Sequence, residues 1–417
     1  MLLTQKTTVK LDPDDANFIG HMCYAAFKLW NVCNYERLHY KELNLSVYPN
    51  WYYQKKAHKQ DLWYKQLPSQ TAQEVCKQLN SCWKSFYTKQ TKGDTNARPP
   101  RFKNENMAIT YMQNAFVHEK DSPIIRLSLP KELKAFMLKE YGICKTYLYL
   151  KNPIFKSTNT VKQIKLYPPV NGKCVLLIIY EREDVEPLSD NGNYLSIDLG
   201  LHNLMTCYHL KTGETFIVGR KYLSLCNYYQ KEIARVQSQW YKQQDRKKVK
   251  YLKSSKHIRK LYKDKNNAIH DYLHKVTRLI ANYCKENQIH TVVIGDLKNI
   301  RKNKNLGKVT NQKLHALPYD KIYILLEYKL ACYGITLVKQ SERYSSQTSP
   351  LKEKVSKENA AKSNRVKRGL YQDGIYTWNA DCVGAFNILR LYFDAQKIDI
   401  TPDAMSIKSP YVLKVAV

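Results

Sequence analysis

The sequence predicts two architectures in succession: a β-barrel carrying an inserted helical module, then an α/β layer. Three observations predict them. Short alternating apolar runs recur at 124–129, 146–150, 161–166 and 174–180, the period-2 pattern of half-buried strands. A buried run at 194–200, Tyr-Leu-Ser-Ile-Asp-Leu-Gly, is followed by strand-like runs at 204–207 and 215–218 around a Lys-Thr-Gly-Glu turn at 211–214, which reads as an antiparallel meander. From 291 to 338 a strand, a helix and a strand alternate, which implies parallel pairing in an α/β layer.

At the N-terminus, residues 8–11 form a short strand-like run. Asp12-Pro13-Asp14-Asp15 breaks it and supplies a helix start. Phe18, Met22, Ala25, Ala26, Leu29 and Cys33 then recur at helical spacing to about Arg37. A second helix opens at Leu67-Pro68-Ser69-Gln70, with Ser69 the expected cap, and places Ala72, Val75, Cys76, Leu79, Trp83 and Phe86 on one face. Between them lies a basic, aromatic segment, 45–66. Residues 12–92 are therefore expected as an inserted helical module, and 1–11 with 93–185 as the barrel. Pro99 and Pro100, within Arg98-Pro-Pro-Arg-Phe-Lys103, force that stretch out of helix.

Residues 186–193 are polar and turn-rich, as a linker would be. Beyond the meander, 220–288 reads as two long helices joined by a basic stretch at 245–256. The second carries Ile269, Leu273, Val276, Ile280 and Tyr283 on one stripe, with His270 and His274 one turn apart. No third ligand has suitable spacing, so phosphate contact or solvation is the reading for that pair rather than a metal site. A strand is expected at 291–297, a helix at 320–333 closed by Gly334, and a strand at 335–338. A basic loop covers 351–378, a helix starts at about Asp381, and 396–417 reads as a tail. Residues 194–395 make up the expected α/β domain.

Charge narrows the function. Lys and Arg number 68 against 36 Asp and Glu, a net charge of +32, and such an excess repels itself unless a polyanion neutralises it. Nucleic acid is the expected partner. The 33 tyrosines often stand near lysines, as in Trp51-Tyr52-Tyr53-Gln54-Lys55-Lys56, a mixture suited to stacking on unpaired bases and touching phosphates. No apolar run approaches a spanning helix and no signal-peptide core is present, so a cytoplasmic, nucleoid-associated protein is expected. The eleven cysteines are scattered with no Cys-x-x-Cys pair, and read as buried thiols.

Four acids stand at strand ends or a helix start: Asp198, Asp296, Glu342 and Asp381. A lone strand-end Asp more often serves a turn. Three carboxylates brought together, however, can hold two magnesium ions about 4 Å apart, one activating water and the other stabilising the leaving oxygen of a phosphodiester. An acid on the first strand of a meander is where a ribonuclease H-like (RuvC-type) metal site begins.

In their order and spacing, Leu67-Pro-Ser-Gln70, Arg98-Pro-Pro-Arg-Phe-Lys103, Ser196-Ile-Asp-Leu-Gly200, Val293-Ile-Gly-Asp-Leu297, Arg343-Tyr-Ser-Ser-Gln-Thr348, Asn379-Ala-Asp381 and Gly384-Ala-Phe-Asn-Ile388 resemble the TnpB proteins of insertion elements, relatives of the type V CRISPR effectors. The resemblance implies a wedge β-barrel with a helical recognition module, followed by a single RuvC nuclease domain. It implies an RNA-guided DNA endonuclease whose partners are a guide RNA and double-stranded target DNA bearing a short flanking motif, with two Mg²⁺ ions as cofactors. Such systems leave sequence reading to base pairing while the protein holds the heteroduplex by shape and charge. Asp198, Glu342 and Asp381 would be catalytic and metal-binding. Tyr52, Tyr53, Lys55, Lys56, Arg98, Arg101, Lys103, Arg365 and Arg368 would touch nucleic acid.

Two departures from the family pattern bear on this. Common members carry a Glu before Asp-Leu on the fourth strand, where this chain has Gly295; Glu342 fits a rearranged variant, with Asp296 the alternative second acid. Common members also carry two cysteine pairs before the last Asp, whereas 348–381 holds neither Cys nor His, so no zinc is expected. Gly295 motivates an alternative, a nuclease-inactive RNA-guided DNA-binding protein. A guide-independent junction resolvase would explain the acids but not the N-terminal half. Monomer and dimer both stay open.

Overall fold

The structure is a computed structural model that describes residues 1–119, 122–151, 160–244, 251–297, 305, 307, 311–312, 317–367 and 369–416. The chain divides into two compact units, Met1–Glu183 and Asp184–Val417.

In the first unit, β1 (Leu2–Lys10) leads into α1 (Pro13–Leu38). The carboxylate of Asp12 accepts the Asp15 N–H at 2.7 Å and Pro13 opens the first turn, so the Asp-Pro pair that ends the strand also starts the helix. Helices α2 (Trp51–Ala57), α3 (Leu62–Lys65) and α4 (Ser69–Thr91) follow. Helix α4 buries Ala72, Val75, Cys76, Leu79 and Trp83 against α1. The cap expected of Ser69 is not made: Pro68 holds the cap position and Ser69 is the first helical residue.

Next come β2 (Ile109–Met112), β3 (Phe116–His118), β4 (Ile124–Ser128), α5 (Lys131–Tyr141), β5 (Tyr147–Lys151), β6 (Thr160–Leu166) and β7 (Lys173–Glu181). Hydrogen bonding divides these strands into two sheets, β1-β7-β6-β2 and β3-β4-β5, where the sequence suggested one barrel. The 3₁₀ turn Gln113–Ala115 breaks the chain between β2 and β3 and separates the sheets. Helix α5 was not anticipated. Leu133 and Met137 on its buried stripe, and Gly142 in the left-handed region (φ +68°) at its end, are the signals that mark it.

In the second unit, β8 (Tyr194–Asp198), β9 (Met205–His209) and β10 (Thr215–Val218) form the antiparallel meander. Helices α6 (Tyr222–Lys242) and α7 (Lys256–Glu286) precede β11 (Thr291–Asp296), which lies parallel to β8. Helix α8 (Tyr319–Ala331) returns the chain to β12 (Thr336–Ser341), parallel to β11. A hairpin, β13 (Leu370–Asp373) and β14 (Tyr376–Asn379), leads into α9 (Ala380–Gln396), and β15 (Tyr411–Leu413) ends the unit. The sheet order is β12-β11-β8-β9-β10-β15. Its first five strands have the mixed ribonuclease H-like arrangement, three antiparallel strands extended by two parallel ones.

Three expectations for this unit need correction. Residues 396–417 are not a tail: β15 adds a sixth strand parallel to β10, and Thr215 Oγ1 donates to the Lys408 carbonyl at 2.5 Å. Three residues are too short a run to announce a strand without the edge they pair with. Residues 186–193 are not a free linker either. Leu188 N–H donates to Gly334 O at 2.8 Å, Asp190 pairs with His290 at 3.0 Å, and Asn193 Nδ2 donates to Asn287 O at 2.7 Å. The basic loop 351–378 contains the β13–β14 hairpin, anchored by fully buried Tyr371 and by Trp378. Tyr371 also donates to the Gln347 carbonyl at 3.1 Å.

The two faces of the second sheet bury different cores. Leu195, Ile197, Val292 and Ile294 pack with α7 and α8; Tyr194 and Val293 pack with α9, the hairpin and Phe386. This alternation decides which acids can meet.

Candidate active site

On β8 the residues facing α9 are Tyr194, Ser196 and Asp198. Ser196 Oγ donates to the Ala385 carbonyl at 2.7 Å, which docks the helix on the strand. A Cβ added to Gly384 would stand 2.8 Å from Asp198 Oδ2, so the small residues at 384 and 385 let the helix approach and leave room for a carboxylate.

The same face continues on β11 through Val293 to Gly295, and in parallel register on β12 through Val338 and Gln340. Glu342 lies two residues past Gln340, hence on that face, and its side chain turns over Gly295. A Cβ at 295 would sit 2.5 Å from Glu342 Oε2 and 3.1 Å from Ile388 Cδ1. The absence of a side chain at Gly295 thus leaves the space into which the Glu342 carboxylate fits. Asp296, one residue on, falls on the opposite face, beside Tyr323 of α8, whose hydroxyl accepts from the Leu297 N–H at 3.3 Å.

The turn after Glu342 is fastened to α9. Ser345 Oγ donates to the Glu342 carbonyl at 2.9 Å, and Asn387 Nδ2 donates to the carbonyls of Ser345 (2.7 Å) and Thr348 (2.8 Å). Arg390 holds the Asn387 amide oxygen at 3.0 Å and the carbonyls of Lys352 and Glu353. Asn387 and Arg390 therefore do by hydrogen bonding part of what a metal ribbon could do for this segment.

Asp381 occupies the first turn of α9, capped by Asn379, whose Oδ1 accepts the Asp381 N–H at 3.0 Å. Its carboxylate accepts from Asn203 Nδ2 at 2.8 Å and pairs with Arg365 at 3.4 Å. Burial above all, then the negative charges of Glu342 and Asp381, push the Asp198 carboxyl well above the usual carboxylate range; Arg365 and the Leu199 N–H offset this in part. A cleft of about 720 Å³ opens over these groups, lined among others by Asp198, His202, Asn203, Arg220, Arg365 and Asp381.

Asp198, Glu342, Asp381 and Arg365 therefore share one neighbourhood, and Asp296 is turned away from it. Arg368 lies outside the described residues. Among the described residues no three His, Cys, Asp or Glu side chains already form a closed metal cage. The donor set nonetheless fits a hard cation: it is all carboxylate, it carries excess negative charge, and glycines at 295 and 384 stand where side chains would crowd two of the acids. Sequence reasoning missed Asn203, Arg220, Asn387 and Arg390. Asn203 carried a signal, standing five residues beyond Asp198 in the turn that Gly200 permits.

The expected nucleic-acid contacts of the first unit lie on two segments. Lys55 sits over the rings of Trp51 (4.7 Å) and Tyr52 (4.9 Å); Tyr52 and Lys56 are exposed and Tyr53 is half-buried. The 100–103 backbone is tied to α1: Trp30 Nε1 donates to Arg101 O at 3.3 Å, Asn34 Nδ2 to Pro100 O at 2.9 Å, and Asn31 Nδ2 to Lys103 O at 3.0 Å. The side chains of Arg98, Arg101 and Lys103 are left exposed. In the second unit, His270 and His274 meet edge to face with ring centres 4.3 Å apart, and burial, with Lys329, His270 and other cations near it, pulls His274 down to about 4.

Two family models match parts of the chain. The family model OrfB_IS605, "Probable transposase", matches residues 177–301, and the "Cas12f1-like, TNB domain" model matches 319–388. InsQ of Escherichia coli (strain K12), provisionally named an RNA-guided DNA endonuclease, is 27% identical over 359 residues, covering 82% of this chain and 78% of that protein. These matches support a TnpB-like protein. The chain also resembles solved structures of compact RNA-guided nucleases. One is a Cas12f1–sgRNA–target DNA complex (13% identity, 93% of this chain and 98% of that one, TM-score 0.38); another is the mini-RNA-guided endonuclease CRISPR-Cas_phi3 (10%, 93% and 92%, TM-score 0.46). No helix among the described residues is long and apolar enough to cross a membrane.

Proposed function

We propose that the protein is an RNA-guided DNA endonuclease that cuts target DNA beside a short flanking motif, using one RuvC site with Asp198, Glu342 and Asp381 as metal ligands. The observation that carries the reading is the placement of Glu342 in the space left by Gly295, on the face that bears Asp198. Two Mg²⁺ ions bound there would supply an activated water and charge stabilisation of the leaving oxygen. The chain's own part is to hold the ligands: Ser196 docks α9, Asn387 and Arg390 pin the turn after Glu342, and Arg365 balances Asp381 until a cation arrives. The exposed Tyr52, Lys56, Arg98, Arg101 and Lys103, with the net charge, suit guide RNA and target DNA held by backbone and stacking. The room that Gly295 leaves for the Glu342 carboxylate supports this reading over guided binding without cleavage.

The test is cleavage of a plasmid library carrying a fixed target beside randomised bases, by protein expressed with its native flanking RNA. Cutting that needs both RNA and Mg²⁺, is stopped by EDTA and enriches one flanking motif is the expected result. Motif-dependent binding with no cutting would return the protein to the class of guided DNA-binding proteins.

A further inference from the structure

The turn between β8 and β9 does more than reverse the chain. Gly200 permits it: a Cβ there would meet the Asn203 carbonyl oxygen at 2.6 Å, and the Gly200 N–H reaches Leu204 O at 3.4 Å. Five residues after Asp198, the chain thereby presents the Asn203 amide to the far side of the same cleft. Nδ2 of that amide donates to Asp381 Oδ2 at 2.8 Å, and Oδ1 accepts from Arg220 Nε at 3.2 Å. The two neighbours fix the amide's orientation without ambiguity. A guanidinium can only donate and a carboxylate can only accept, so Oδ1 must face Arg220 and Nδ2 must face Asp381.

Asp381 itself sits at the start of α9, on a rotatable side chain, with its other oxygen drawn toward Arg365 at 3.4 Å. Arg365 is exposed and lies on an irregular segment, whereas Asn203 is fixed to the strand pair that carries Asp198. Of the two groups on Asp381, the amide is therefore the one that ties this acid to the frame of the first. It does so without adding a positive charge that would compete with a cation.

We infer that Asn203 is a positioning residue that, oriented by Arg220, aims the Asp381 carboxylate at the metal-binding cleft; this rests on the assignment of Asp381 as a metal ligand. Partners of this kind around ligating carboxylates typically change metal affinity about 10–100-fold when removed.

The experiment is a calorimetric Mn²⁺ titration of the full-length protein, wild type against Asn203→Leu, which keeps the volume and loses both hydrogen bonds. Asn203→Ala serves if the leucine variant does not fold, and Asp381→Ala is the control. The expected result is Mn²⁺ affinity lowered about tenfold in the Asn203 variant, and an Asn203→Leu melting curve close to wild type. A turn that is merely structural would shift the melting curve and leave the affinity alone. Affinity within about twofold of wild type, with Asp381→Ala impaired, overturns the inference. Wild type and Asp381→Ala binding Mn²⁺ equally would instead overturn the assignment of Asp381, and the inference with it.

Discussion

Each unit gathers charged side chains around one partly buried group, and the two clusters are built in opposite senses. In the first unit, His58 lies between Glu36 (3.2 Å from Nε2) and Asp61 (2.6 Å from Nδ1), while Gln54 bridges Glu36 at 2.8 Å and Arg37 at 3.0 Å. Burial works against the imidazolium, but the two carboxylates outweigh it and push His58 up to about 9. In the second unit, Asp198 meets burial and two more carboxylates, with Arg365 and the Leu199 N–H offsetting them only in part. The first cluster is complete as it stands and binds the module together. The second gathers like charge that an added cation would relieve, the kind of arrangement in which stability is surrendered for function.

The largest effect that would break this contrast concerns the acids themselves. Alanine at Asp198, Glu342 or Asp381 is expected to lower guided plasmid cleavage at least about 10³-fold, since removing a metal ligand forfeits several kcal/mol of transition-state stabilisation. Alanine at Asp296, on the other face of the sheet, should change the rate less than about twofold. DNA binding measured by gel shift should persist in all four variants. Loss of cutting in Asp296→Ala with retention in Glu342→Ala would exchange their roles.

The paired cluster gives the next effect. His58 is 13% exposed, and a rise from 6.5 to about 9 corresponds to on the order of 3 kcal/mol at about 1.4 kcal/mol per tenfold in proton affinity. Because the folded value lies above the unfolded one, this contribution is fully present below pH 6.5 and disappears as pH rises through 9. Denaturant melts should therefore find His58→Ala less stable by about 2–3 kcal/mol at pH 6, with a gap that narrows by pH 9.5. A gap independent of pH would mean that packing, not charge, is what His58 supplies.

The smallest effect has the opposite sign. A carboxyl held above its ordinary range takes up protons on folding, so its cost to the metal-free protein appears as pH rises from the normal carboxylate range toward neutrality. Asp198→Asn should accordingly raise metal-free stability by about 1–2 kcal/mol at pH 7.5, and by almost nothing at pH 4. Mg²⁺ should stabilise the wild type and not the variant. Thermal melts at the two pH values, with and without Mg²⁺, check both statements.

The same contrast explains what was legible in the chain. Local period and punctuation announced α1, α4, the meander and the parallel strands, because each is written in neighbouring residues: Asp12-Pro13 for a start, alternation for a strand, Gly334 for a stop. Asp198 and Asp381 were legible as acids at a strand end and a helix start, and the family resemblance supplied their expected roles. Helix α5 carries its signal in Leu133, Met137 and Gly142, but it is short and set among alternating strand-like runs. What could not be read was anything that depends on an edge or a face supplied by distant residues. The strand β15 needs β10 to pair with; Asn203 needs Asp381, brought from 178 positions away.

By itself, the sequence determined the polyanion-seeking charge, the strand and helix periods, and a set of acids at element ends. The tertiary structure decided which of those acids belong together. Gly295 and Asp296 are adjacent in the chain, but a strand sends successive side chains to opposite faces, so register with β8 and β12 puts the glycine beside Glu342 and Asp198 and sends the aspartate to the α8 side. Neighbouring residues are close in sequence at all times; two carboxylates become close in space only when a fold accepts their repulsion.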